Sequence, residues 1–173
     1  MTAAPASAAV RERASSLANE AMLTIALQVR RLGSKEPEDG TFIFRWWADL
    51  QFLIVSLRRL RRIAELASKV DDSSQSIKAA IETFDRALPY LAVMRNVGEH
   101  IDSYAIDHPK RHHTEVDRRY LQVGTWDGEV FTWLADKNEL PLQLNVNDAK
   151  AAAVRLYSTV RELARPAPAT VSR

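Results

Sequence analysis

Four polar side chains within six positions, Arg95, Asn96, Glu99 and His100, have the types and spacing best suited to chemistry in this chain. At about 100° per residue they fall with Ser103 on one arc of a helix, while Leu91, Met94, Val97, Gly98 and Ile101 fall on the opposite arc. One face then carries a fixed cation, an amide, a carboxylate and an imidazole, the group that titrates near neutrality. Such a set suits proton transfer beside a bound anion. Arg95 and Glu99 are i,i+4 neighbours, as are Asn96 and His100, so each pair can hold its partner's rotamer. Gly98 costs roughly 1 kcal/mol against Ala inside a helix and implies tight packing behind the cluster, where another backbone comes close. The same four side chains are equally at home on the wet face of an amphipathic helix.

Two basic segments accompany the cluster. Arg58, Arg59, Arg61 and Arg62 could guide an RNA backbone by phosphate contacts, or form a solvated face paired with carboxylates such as Glu65. Lys110 and Arg111 begin a second run, continued by His112, His113, Arg118 and Arg119, on the loop expected to leave the cluster helix, and a substrate-facing role suits that position. His108, His112 and His113 lack a carboxylate at ligand spacing, so no metal is expected. There is no Gly-rich phosphate loop, nucleophile elbow or dinucleotide fingerprint, and no cofactor is expected. Of the tryptophans that could stack bases, Trp46 reads as core or interface and Trp126, beside a turn, as exposed.

The elements that must position these residues are mainly helical. Apolar positions Val10, Ala14, Leu17, Ala21, Ile25, Val29 and Leu32 recur at helical spacing and predict a helix from about Val10 to Leu32, closed by Gly33. A loop, 34–40, follows. A second helix from about Thr41 to Val70 carries Trp46, Leu50, Leu53, Leu57, Leu60, Ala64 and Ala67 in alternating steps of four and three, a heptad seam that suits either the arm of an antiparallel bundle or half of a dimer interface. After a turn at Asp71 to Ser74, with an N-cap among those residues, a third helix presents Ile77, Ile81, Phe84, Leu88 and Leu91. Pro89 should kink or break it, with the cluster helix running on to Ala105 or Ile106 and ending before Pro109.

Period-two patterning then takes over at Leu121, Val123 and Thr125, and at Val130, Thr132 and Leu134, around Asp127-Gly128, a strong hairpin signal. Leu140, Leu142 and Leu144 extend the alternation, with Pro141 confining that strand to an edge. A last helix, capped by Asn147, should carry Ala149, Ala153, Leu156, Val160 and Leu163 to about Arg165. The expected fold is therefore mainly α: a bundle of four to five helices with a small antiparallel hairpin or meander before the C-terminal helix.

Composition agrees. The chain has 173 residues, 46% of them hydrophobic, with 5 Gly and 7 Pro, enough for one well-buried core and poor in helix breakers. The absence of cysteine rules out disulfides and thiolate chemistry and suits a reducing compartment; without a signal-like start, a cytoplasmic location is expected. No apolar run approaches the roughly 20 residues of a membrane span, so no membrane partner is expected. The formal charge of +2 is too small to announce a nucleic-acid partner by itself.

Arg95-Asn96-Val97-Gly98-Glu99-His100 has the form R-N-x-x-x-H and resembles the R-x(4-6)-H signature of the HEPN superfamily. Its members are small helical bundles, many of them metal-independent ribonucleases of prokaryotic toxin and defence systems. The resemblance implies one HEPN-like domain over 1–165, with the strands at about 118–144 as an insertion that the minimal bundle lacks, and a disordered tail at 166–173. It further implies a homodimer whose two motif helices line a shared cleft, an RNA substrate, and an antitoxin or other protein partner. Arg95 would bind the scissile phosphate, His100 would move a proton at the ribose 2′-hydroxyl, and Asn96 and Glu99 would orient them. Tyr104 stands four residues after His100, where some toxin members carry a modifiable Tyr two residues after, so regulation through Tyr104 is not implied. The alternative is a non-catalytic interaction protein that docks a partner through the heptad helix and hairpin; the superfamily also contains members that have lost activity and serve as scaffolds.

Overall fold

The computed structural model describes residues 4–35, 45–69, 74–99, 124–133 and 141–164. Among them the chain forms five helices and a three-stranded antiparallel sheet placed before the last helix. Helix α1, Ala4–Leu32, begins earlier than the apolar periodicity suggests. Its Ala-rich first turns have strong helix propensity, and Pro5 is harmless there because the first N–H groups have no intrahelical acceptor. The helix closes where the Gly33 amide donates to the Val29 carbonyl at 3.1 Å.

Helix α2, Arg45–Ser68, is the centre of the bundle and packs against α1 and three further helices. These are α3, Ser74–Ala87, α4, Leu91–Glu99, and α5, Val146–Ala164. Its heptad seam is inside the chain: Leu50, Leu53, Leu57, Leu60 and Ala64 are fully buried and Trp46 half-buried. The seam is thus the arm of a bundle, since its leucines do not reach the surface. Two ion pairs, Glu20 with Arg59 and Arg31 with Asp49, mark the register of α1 and α2. Rising numbers in one helix meet falling numbers in the other, so the pair is antiparallel.

Pro89 separates α3 from α4. The last α-type bond before it runs from the Leu88 amide to the Phe84 carbonyl at 3.0 Å, Leu91 then reaches only three residues back to Leu88, and α4 starts with Met94 bonded to Tyr90 at 2.9 Å. An amide lost at the ring and the clash with the preceding turn account for the break.

Strands β1, Thr125–Trp126, β2, Val130–Trp133, and β3, Leu142–Asn145, are ordered β1-β2-β3 and antiparallel, with Phe131 opposite Leu144 and Trp133 opposite Leu142. Those four side chains are buried. The inward face of β2 is thus the aromatic pair Phe131 and Trp133, whereas Val130 and Thr132 face outward, because the larger rings bury more apolar area. Gly128, at φ 103°, makes the turn, and the Asp127 carboxylate accepts from the Glu129 and Val130 amides at 2.8 and 2.7 Å. These bonds hold its carboxyl below the usual aspartate range. Pro141 precedes the edge strand β3, as its missing N–H requires.

The cap of α5 is Asn145 rather than Asn147: its Oδ1 accepts from the Asn147 and Asp148 amides at 2.9 and 3.0 Å. The helix starts at Val146, so Asn147 already lies in its first turn. Trp46 and Trp47 of α2 meet Phe131 and Trp133, with the Trp47 and Trp133 rings edge-to-face at 5.3 Å. Trp126 is half-buried against the same core, which corrects its expected exposure. Leu121, Val123, Leu134 and Leu140, residues 71–73 and the tail at 166–173 lie outside the described residues. No described helix is long and apolar enough to cross a membrane.

Candidate functional site

Helix α4 sorts its residues as its spacing requires. Leu91, Met94 and Val97 are buried, while Arg95, Asn96 and Glu99 lie toward the surface. The Arg95 guanidinium forms an ion pair with Glu99, and its Nη1 donates to the Asn96 Oδ1 at 3.1 Å. Three of the four cluster residues are therefore one connected unit. His100 lies outside the described residues, as do Lys110, Arg111, Ser103, Tyr104 and the histidines 108, 112 and 113.

The backing of the cluster differs from expectation. What comes nearest Gly98 is the side-chain amide of Gln51 on α2: a Cβ at Gly98 would collide with the Gln51 Oε1. The Gln51 Nε2 is buried without a hydrogen-bond partner. The contact itself lines a cleft of about 310 Å³, walled also by Trp47, Phe52, Val55, Val97 and Trp133, that reaches Glu99.

The arginines of α2 divide into two groups. Arg61 is structural: it grips the Asp85 carboxylate through Nε at 2.5 Å and Nη2 at 2.6 Å, and also pairs with Glu65. The Asp85 bonds raise its already high pKa. Arg59 pairs with Glu20 at 3.0 Å in an exposed bridge, which contributes little and exchanges easily. Arg58 is half-buried, and burial first, then repulsion from Arg61 and Arg62, lowers its pKa; its Nε has no partner. Arg62 is exposed and has no ionic partner among the described residues. Arg58 and Arg62 are thus the members of this group open to an incoming anion.

Sequence reasoning missed one buried ionic centre. Asp49 is 4% exposed and accepts from Arg31 Nε at 2.9 Å and from Arg45 Nη1 at 3.0 Å. Arg45 also donates to the Arg31 and Ser34 carbonyls, both at 2.9 Å. The i,i+4 spacing of Arg45 and Asp49 was a visible signal; the arrival of Arg31 from α1 was not. All three are committed to tying the end of α1 to the start of α2, so the centre reads as structural. Among the described residues no group of His, Cys, Asp and Glu could hold a metal. No family model, curated protein or solved structure matches the chain, so what the α4 cluster does has to be argued from its own chemistry.

Proposed function

We propose that the chain is a HEPN-like, metal-independent endoribonuclease, the effector of a toxin or defence module, acting as a homodimer. The observation that supports this most is the connected Arg95–Asn96–Glu99 unit on the open side of α4, followed directly by His100 in an R-N-x-x-x-H sequence. In the reaction, His100 takes the proton of a ribose 2′-hydroxyl, the 2′-oxygen attacks the adjacent phosphorus, and the bond to the 5′-oxygen breaks as that oxygen takes a proton from water. A 2′,3′-cyclic phosphate and a 5′-hydroxyl result. Arg95 neutralises the non-bridging oxygens as charge develops on them. Because Glu99 already holds Arg95, phosphate must take over that guanidinium, and Glu99 serves to keep it aimed until then. Arg58 and Arg62 supply phosphate contacts along the strand.

The test is cleavage of single-stranded RNA by purified protein in the presence of a chelator. Wild type should cut, and His100→Ala should lose at least about 100-fold in rate, the usual contribution of a general acid or base, with unchanged helical content. Equal inertness of the two proteins would refute the enzyme. A second reading, a non-catalytic interaction protein, is favoured by one observation, the large apolar side chains exposed along α1 and α2.

A further inference from the structure

Among the described residues seven large apolar side chains are exposed, and five of them, Leu23, Leu27, Phe52, Val55 and Leu66, sit on just two of the five helices. Scattered single leucines need no explanation, but a concentration of this kind does. Three of the five belong to one line on α2. Phe52, Val55, Arg59, Arg62 and Leu66 are all exposed, advance in steps of 3, 4, 3 and 4 like the buried seam, and fall within an arc of about 80° at 100° per residue. Helix α2 therefore carries a second heptad stripe on its outer side, apolar at both ends and cationic in the middle. Phe52 is 61% exposed. The register of the two ion pairs sets Leu23 and Leu27, on the neighbouring α1, level with Phe52 and Val55.

Heptad spacing on an exposed helix fits a second helix laid along it, and the charges choose which kind. A second copy laid antiparallel on this stripe would set Arg59 against its own equivalent and Arg62 against Val55; laid parallel, it would oppose both arginines to their equivalents. Like charges in contact are destabilising. A helix with carboxylates at its centre and apolar residues at its ends has the opposite sign where it matters. Arg62 has no ionic partner among the described residues, and Arg59 can trade its exposed Glu20 bridge for a partner carboxylate at little cost.

We propose that the outer stripe of α2, Phe52–Val55–Arg59–Arg62–Leu66, docks an acid-centred amphipathic helix of a partner protein. Phe52 and Val55 also wall the cleft that reaches Glu99, so a helix seated there abuts the α4 cluster. The docking does not depend on the chemistry of the α4 cluster, but a helix seated on Arg62 excludes the phosphate contact proposed for that side chain above.

The test uses a fluorescein-labelled synthetic helix with Leu spaced to meet Phe52, Val55 and Leu66 and Glu spaced to meet Arg59 and Arg62, beside a twin with Lys in place of Glu. By fluorescence anisotropy with the full chain, the Glu helix should bind at least tenfold tighter than the Lys helix. Arg62→Glu should cancel that preference, since Arg59 remains, the double change Arg59→Glu with Arg62→Glu should reverse it, and Phe52→Ser should weaken both by at least tenfold. All these side chains are exposed, so far-UV circular dichroism should not change. No binding of the Glu helix, or equal affinity for the two helices, would overturn the proposal. So would a dimer in sedimentation velocity that Phe52→Ser dissolves, which would assign the stripe to a second copy. Polyuridine binding that Arg62→Glu abolishes, with the Glu helix ignored, would assign it to RNA and overturn the proposal too.

Discussion

Removing the Asp49 carboxylate should destabilise the protein far more than removing either end of any exposed bridge. The Asp49 side chain is 6% exposed and holds Arg45, at 11%, and Arg31, at 40%. Taking one partner out of a buried pair costs about 3–5 kcal/mol, because the remaining charge stays desolvated. Two features bring Asp49→Ala to the lower end, about 3 kcal/mol. Arg45 keeps its bonds to the Arg31 and Ser34 carbonyls, and Arg31 is exposed enough for water to screen it. For a chain of this length the melting temperature should fall by roughly 6–12 °C, at about 2–4 °C per kcal/mol. Arg31→Met, which leaves Asp49 paired with Arg45, should cost under about 1 kcal/mol. Urea unfolding followed by circular dichroism measures both, with a shifted midpoint and an unchanged slope. If Asp49→Ala cost less than about 1 kcal/mol, or no more than Arg31→Met, the centre would not be the staple between α1 and α2 that its geometry describes.

Gly98→Ala gains up to about 1 kcal/mol of helix propensity but pushes a methyl group onto the Gln51 amide. The change should therefore be near neutral alone and clearly stabilising in a Gln51→Ala background. A double-mutant cycle with coupling below about 0.3 kcal/mol would show that the two sites do not touch. Because the Asp127 carboxyl is held below its unfolded value, its contribution is fully present above about pH 4, the ordinary aspartate pKa, and is lost as pH falls through the lower folded value. Acid unfolding should track this, with the indole fluorescence around the sheet changing at higher pH in Asp127→Ala than in wild type; coincident acid transitions would exclude the turn from the acid response.

The parts of the fold that sequence exposes are those governed by local repetition. The steps of four and three from Trp46 to Ala67 name the buried side of α2 because one face of one helix meets the core throughout. Pro89 marks its own break, and Asp127-Gly128 its own turn, for reasons contained within a few residues. Local signals compete in two places. Val130 and Thr132 alternate as regularly as Phe131 and Trp133, and ring size decides which pair faces inward. Asn145 and Asn147 are both good caps, and the place where β3 ends chooses between them. The long-range pairings carry no local signal at all: Asp85 reaches Arg61 across 24 positions and Arg31 reaches Asp49 across 18. For that reason the α2 arginines read as one patch in the sequence and separate into structural and open members in space. Within the α4 cluster, the i,i+4 pairing of Arg95 with Glu99 was legible, while the Gln51 amide behind Gly98 belongs to another helix and was not.

The contact between α2 and the sheet gives the molecule a built-in optical gauge. Trp46 and Trp47 stand edge-to-face with ring centres 6.2 Å apart, and Trp47 meets Trp133 at 5.3 Å. The first pair lies within α2, whereas the Trp47–Trp133 contact exists only while the strand lies on the helix, so the near-ultraviolet dichroism of these packed indoles changes when the strand leaves. The helices report separately in the far ultraviolet. Detachment of the sheet and melting of the bundle can therefore be followed as two events in one unlabelled sample, and so can any ligand that enters the cleft beside Trp47.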